Sequence, residues 1–163
     1  QMAGPLRKPL VVLSPKALLR HPGCVSRLDE MGPGSGFRSV IGDDVENASR
    51  AVLCTGKLYH YLEAERRQRG IEDVALIRLE QLYPLDEAAI AAALKPCRKA
   101  ELIWAQEEPE NMGYFAWLDR RLERIAGRRL RLVSRPPMAT PATGPKKWND
   151  AEFAAVVDAA LET

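Results

Sequence analysis

The sequence has 163 residues, with 24 Lys and Arg against 22 Asp and Glu, three cysteines and 46% apolar residues. That length fits a single domain (1–163) with a core of its own, and the near balance of charge gives no bulk attraction to nucleic acid or to an anionic membrane surface. The longest apolar runs, at 10–13 and 88–94, are much too short to span a bilayer, and QMAGPLRKPLVVLS carries no signal-peptide cleavage pattern.

In chain order, the first apolar run is LVVL at 10–13, read as a strand. Ser14-Pro15 then opens a helix in SPKALLR as cap and first-turn residue. On a helix, Lys16 and Arg20 stand at i,i+4 and face the same way, so they read either as two solvated cations or as a pair sharing an anionic partner. The stretch 31–44 (MGPGSGFRSVIGDD) is a glycine-rich loop holding a candidate edge strand at 37–41. Its Gly32-x-Gly34-x-Gly36 is too compact for a dinucleotide fingerprint.

AVLC at 51–54 is the second strand. CTGK follows, and places Lys57 at the mouth of a helix over 58–69, where backbone N–H groups and one ammonium suit a phosphate or carboxylate. The alternative is a capped turn with a solvated lysine. Glu63–Arg67 and Glu65–Arg69 pair along this helix and Gly70 stops it. VALIRL (74–79) is the third strand. Asp86 then caps a helix that buries Ile90 and Leu94 and ends before Pro96.

LIWA (102–105) is the fourth strand, running into QEEPENMG, which reads as a strand-to-helix turn. Adjacent Glu107 and Glu108 point apart, which is poor geometry for a paired acid/base site, so no catalytic residue is assigned. Tyr114, Trp117, Leu118, Leu122 and Ile125 form one apolar helical stripe ended by Gly127. The arginines at 120, 121, 124, 128, 129 and 131 lack interleaved aromatics at their basic end and read as a solvated, ion-paired face rather than a nucleic-acid surface. LRLV (130–133) is the fifth strand, and 134–148 is an extended, Pro/Thr-rich connection. Asn149 with Glu152 resembles a capping box for a last helix, whose Phe153, Val156, Val157, Ala160 and Leu161 share one face.

Continuous apolar runs, each followed by a helical segment, specify an α/β fold: three layers, α/β/α, around a mostly parallel sheet of about five strands. Cys24, Cys54 and Cys97 are odd in number and scattered, as reduced thiols acting as small buried hydrophobes would be. With only His21 and His60 beside them, no metal-site spacing exists, and no metal is assigned.

RKPLVVLSPKALLRHP, CTGKLYHYL, VALIRLEQLYPLDEAAI, WAQEEPENMGYFAWL and ATPATG, in this order, resemble the C-terminal domain of the 2-oxoglutarate dehydrogenase family, the thiamine-diphosphate-dependent first components of that complex. The resemblance covers nearly the whole chain; SPKALLRHP and RLEQLYPL with QEEPENMG carry it most specifically. It implies a transketolase-C-terminal-like domain that is a piece of a larger enzyme, packs into a homodimer and leaves thiamine diphosphate and Mg to preceding domains, since the G-D-G…N motif is absent here. By the same resemblance the domain is regulatory. It takes acetyl-CoA, AMP or ADP as effector through Arg20, Lys57 and Gln106, with Lys16 as a further candidate. Gln106 would hydrogen-bond an adenine or a ribose.

The tail GPKKWNDAEF and the altered SRPPMATPATG depart from the family's pattern. Implied partners are the same-chain thiamine domains, the second subunit and the succinyltransferase component, in the cytoplasm of a bacterium or the matrix of a mitochondrion. The isolated domain is expected to be catalytically silent. The alternatives are a free-standing nucleotide- or CoA-binding module and a purely structural assembly domain.

Overall fold

A computed structural model describes residues 8–9, 11–13 and 16–162. They fall into two units, divided between Arg38 and Ser39.

The first unit holds two short 3-10 helices, Lys16–Arg20 and Leu28–Met31, and neither buries a side chain. Glu30 reaches back to the Arg27 N–H at 2.9 Å and fixes the second. The strand expected at 10–13 is not formed: residues 11–13 are irregular, Val11 and Leu13 are 86% and 97% exposed, and residue 10 lies outside the described residues. A four-residue apolar run cannot stand as a strand without a neighbour to complete its hydrogen bonds. The helix of SPKALLR is 3-10 rather than α, and its Ser14-Pro15 start also lies outside the described residues. At three residues per turn, positions i and i+4 sit about 120° apart, so Lys16 and Arg20 do not stack on one face. Cys24 is exposed, not a buried hydrophobe, whereas Cys54 and Cys97 are buried as expected.

The second unit is a five-stranded sheet between two pairs of helices. Its elements are β1 (Val40–Ile41), β2 (Arg50–Cys54), α1 (Leu58–Arg69), β3 (Val74–Leu79), α2 (Glu87–Leu94), β4 (Glu101–Pro109), α3 (Phe115–Ala126), β5 (Arg131–Arg135) and α4 (Lys146–Leu161). The strand order is β1-β3-β2-β4-β5, parallel except for the antiparallel edge strand β1. β2 is buried at every residue because both its faces are covered. Leu53, Ile77 and Trp104 face α2 and α3, while Val52, Leu76 and Ile103 face α1 and α4. Period-two alternation thus splits one continuous apolar run between two cores, giving the three layers expected.

Local signals place the helix ends. Gly70 and Gly127 take the left-handed conformation after α1 and α3, with φ of 63° and 70°. Asp86 caps α2 by accepting from Ala89 N at 3.0 Å. The capping box expected at Asn149 is not used: α4 begins earlier, at Lys146, with Pro145 as its cap. Pro145 sits at φ −65°, which sets up the first turn, and a Lys146–Asp150 pair spans it. Asn149 and Glu152 are therefore helical and face the preceding loop, where Thr143 Oγ1 donates to Glu152 and Asn149 Nδ2 donates to Thr143 O. The arginine run is tied down internally: Arg124 pairs with Glu87, Arg128 donates to the carbonyls of Cys97 and Arg98, and Arg131 bonds Glu101. No helix among the described residues is long and apolar enough to cross a membrane.

The N-terminal edge of the sheet is closed by charge. Glu101 on β4 accepts from Arg131 on β5 and from Arg50 on β2, and Arg50 also reaches Ala160 O on α4. The bond from Arg131 holds the Glu101 carboxyl below its ordinary range, with Arg50 adding to the effect. Asp86 is likewise depressed, first by the Ser39 hydroxyl at 2.7 Å and then by Ala89 N.

A carboxylate with a lowered folded pKa stabilises above its unfolded value, and the contribution vanishes as pH falls through the folded value. Ser39→Ala is therefore expected to be less stable than the parent near neutral pH, with the deficit shrinking as pH drops below roughly 4, where carboxylates protonate. Urea midpoints measured across that range check the sign.

Candidate ligand site at the switch point of the sheet

From β2 the chain crosses to β3 on one side, and it later returns to β4 on the other. The helix after β2, α1, packs on one face of the sheet; the helix after β4, α3, packs on the opposite face. The C-terminal ends of β2 and β4 thus open a crevice, the place where ligands gather in open parallel sheets.

Thr55-Gly56-Lys57 forms the turn out of β2. Thr55 Oγ1 donates to Leu79 O at 2.7 Å, and Gly56 takes φ 65° so that α1 can start at Leu58. Lys57 stands at the α1 N-terminus, as expected from CTGK. Its Nζ lies 3.0 Å from Glu107 Oε2 across the crevice, with both side chains about two-thirds buried (35% and 31% exposed). The two peptides singled out from sequence, CTGK and QEEPENMG, meet through this ion pair. Behind it opens a pocket of about 430 Å³, lined by Lys57, Glu107, Glu108, Arg135, Asn149 and Asp150 among others, with Phe153 on its α4 wall.

Gln106 is placed differently. It is 3% exposed and shares the face of Trp104, turned toward α3, while Glu107 turns toward Lys57. Its Oε1 accepts from Trp104 Nε1 at 3.0 Å and from Phe115 N at 3.2 Å. Its Nε2 donates to the carbonyls of Met112, Pro109 and Glu108 at 2.8, 3.1 and 3.4 Å. The amide is therefore committed inside the domain, as the template around which the chain turns into α3. Gly113 closes that turn at φ 73°, and a Cβ there would lie 2.9 Å from the Gln106 amide.

QEEP is also not a turn, as the sequence implied, but the end of β4. The strand runs on to Pro109 past an irregularity between Ala105 and Pro109, and Pro109 pairs with Arg135 of β5. Its ladder with β2 ends at Trp104, so this part of β4 is an edge on the β2 side, where proline is tolerated.

Lys16 and Arg20 lie on the exposed 3-10 helix of the first unit. Sequence reasoning missed three residues of the pocket. Arg135, at the end of β5, was read as part of the 134–148 connection, Asn149 as a helix cap, and Asp150 was given no role. An arginine ending an apolar strand beside two prolines was the available signal for the first.

The site offers an ammonium, a helix N-terminus and a guanidinium. Facing these cations, Glu107, Glu108 and Asp150 bring three carboxylates to the same pocket. The thiol that ends β2, Cys54, is buried, and burial pushes it up to about 12, against the thiolate a nucleophile needs.

The profile of the family described as 2-oxoglutarate dehydrogenase C-terminal matches residues 25–161. That span includes the tail expected to depart from the family. Among curated relatives, the chain is 40% identical to the 2-oxoglutarate dehydrogenase E1 component of Brucella anthropi, over 99% of its own length and 18% of the relative's. It is 39% identical, over the same shares, to the E1 components of Brucella ovis and of Brucella abortus (strain S19). The chain thus spans about a fifth of the length of these relatives.

Proposed function

We propose that this chain, which belongs to the 2-oxoglutarate dehydrogenase C-terminal family, is the regulatory and dimer-forming domain of a larger thiamine-diphosphate enzyme. In this reading the whole enzyme oxidatively decarboxylates 2-oxoglutarate in the tricarboxylic acid cycle and passes the succinyl group to the lipoyl carrier of a succinyltransferase component. It works in the cytoplasm if bacterial, or in the mitochondrial matrix if eukaryotic. Thiamine diphosphate and Mg belong to the other domains. Glu107 and Asp150 are already tied to Lys57 and Lys146, so the pocket has few carboxylates to spare for a metal diphosphate.

The observation that carries the regulatory part is Lys57, at the N-terminus of α1 and in the switch-point crevice. An adenine nucleotide or acetyl-CoA presents phosphates that suit this ammonium and the N–H groups behind it. Arg20 and Lys16, on the first unit, are further effector-binding candidates that the family resemblance supplies, and Gln106 contributes by shaping the turn that follows Glu107 and leads into α3. Because Glu107 holds Lys57 in the free protein, the effector must displace it.

Lys57→Ala and Arg20→Ala are each expected to weaken effector binding by about 1–3 kcal/mol, the scale of a hydrogen bond to a charged group. Glu107→Gln is expected to strengthen it by releasing Lys57. Titration of the three variants by calorimetry checks both signs; equal affinity in all three would remove Lys57 and Arg20 from the site. Supplied with thiamine diphosphate, Mg and 2-oxoglutarate, the chain alone is expected to show no turnover.

A further inference from the structure

Arg135 is a buried cation with too few partners. Its side chain is only 4% exposed, and neither Nε nor Nη1, both buried, makes a hydrogen bond. Nη2 donates to Asn149 Oδ1 at 3.3 Å. Its carboxylate partner, Glu152 Oε2, stands 3.5 Å from Nη1, beyond a good charge-assisted bond. Glu152 instead accepts from Thr143 Oγ1 at 2.7 and 2.8 Å.

Two other buried arginines are handled otherwise: Arg50 takes Glu101 at 2.8 Å and the Ala160 carbonyl, and Arg66 takes Asp43 and Glu63. Arg78 also leaves its Nε without a hydrogen bond, but a carboxylate, Glu80, stands 2.7 Å from it, closer than any to Arg135. A buried charge left without full hydrogen bonding is costly, and where one persists it calls for a reason.

Its location offers one. Arg135 ends β5 between two pockets, one lined by Glu110 and Glu152 and the other by Lys57 and by Asn149, to which its Nη2 donates. We propose that Arg135 is the anchor of the switch-point pocket, its open guanidinium binding an oxyanion, carboxylate or phosphate, that also takes Lys57 from Glu107. This rests on the effector reading of Lys57 and adds to it a residue on the opposite wall.

The remaining charges narrow the ligand class. Glu108 and Asp150 also line the pocket, so a bare polyanion is disfavoured there. The ligand that fits presents an oxyanion to Arg135 and Lys57 and N–H or O–H donors to Glu108, Asp150 being already paired with Lys146.

Thermal unfolding of the chain with inorganic phosphate, ADP and succinate tests this, because a ligand of the folded state raises the midpoint with the logarithm of its concentration once that exceeds its Kd. ADP supplies phosphate on a donor-bearing body, succinate supplies carboxylates, and inorganic phosphate supplies the oxyanion alone. At least one of the three is expected to stabilise the parent with that logarithmic dependence. Arg135→Met is expected to weaken that probe about tenfold or more, as loss of charged hydrogen bonds does. Without ligand it should be as stable as the parent, because it removes a poorly compensated buried charge.

Asn149→Asp gives an independent variant. It places a carboxylate on Arg135 from within the protein and is expected to block the probe while the chain stays folded. If Arg135→Met melts lower without ligand and both variants bind the probe like the parent, Arg135 is a structural residue and the inference is overturned, while the Lys57 site stands. If the parent responds to none of the three, this inference falls, while the Lys57 reading stands or falls separately with acetyl-CoA and AMP.

Discussion

Gln106→Leu is expected to destabilise the domain by about 3 kcal/mol or more, because it strands buried donors at about 1–3 kcal/mol each. The substitution removes the acceptor of Trp104 Nε1 and of Phe115 N, and the donor that gathers the carbonyls of Met112, Pro109 and Glu108. Gln106→Glu should also destabilise, since it replaces that donor with an oxygen facing three carbonyls. A lower urea midpoint at unchanged slope would show that stability, not compactness, has been lost. Were Gln106 mainly a ligand contact, the same substitution would leave the midpoint alone and remove effector affinity. The two roles are therefore separable in a single variant.

Asp43→Ala is expected to cost about 3–5 kcal/mol, the range found when one partner of a buried ion pair is deleted. Asp43 pairs with Arg66, whose side chain is 13% exposed, and its Oδ2 also accepts from Leu76 N at 2.8 Å. Arg66 bridges onward to Glu63 and to Val74 O, so one carboxylate ties the loop after β1 to α1 and β3. Its loss leaves both the guanidinium and a strand N–H short of a partner. Asp43→Asn should recover part of the loss by keeping an acceptor for Leu76 N. A parent, Ala and Asn series in urea measures this; an Asn variant no better than Ala would assign the whole effect to charge.

The fold was largely legible because its signals are local and repeated. The helix over 58–69 and the strand over 74–79 fall where their periodicity and Gly70 place them. The runs at 51–54, 102–105 and 130–133 are strands as well, each extended at one or both ends where the ladder continues beyond the apolar residues.

What failed depended on distant partners. LVVL has the composition of a strand but no neighbour among the described residues, and the edge position in the sheet is taken by Val40–Ile41, within the candidate strand at 37–41. Asn149 and Glu152 have the spacing of a capping box, yet Pro145 starts the helix a turn earlier.

The site divides in the same way. Lys57 at a helix mouth is a local feature and was readable. Its pairing with Glu107 depends on strand order, which places β4 beside β2. The inward turn of the Gln106 amide depends on strand alternation continuing past Ala105, where the sequence implied a turn. Arg135 could be seen as unusual only once its surroundings were counted.

The most direct test of the Lys57 site is calorimetric titration of the chain and of Lys57→Ala with acetyl-CoA, AMP and ADP. Saturable heat from at least one of them with the parent, reduced about tenfold or more in affinity in the variant, is the predicted result. A flat response of the parent to all three, or equal affinity in the two proteins, would contradict it.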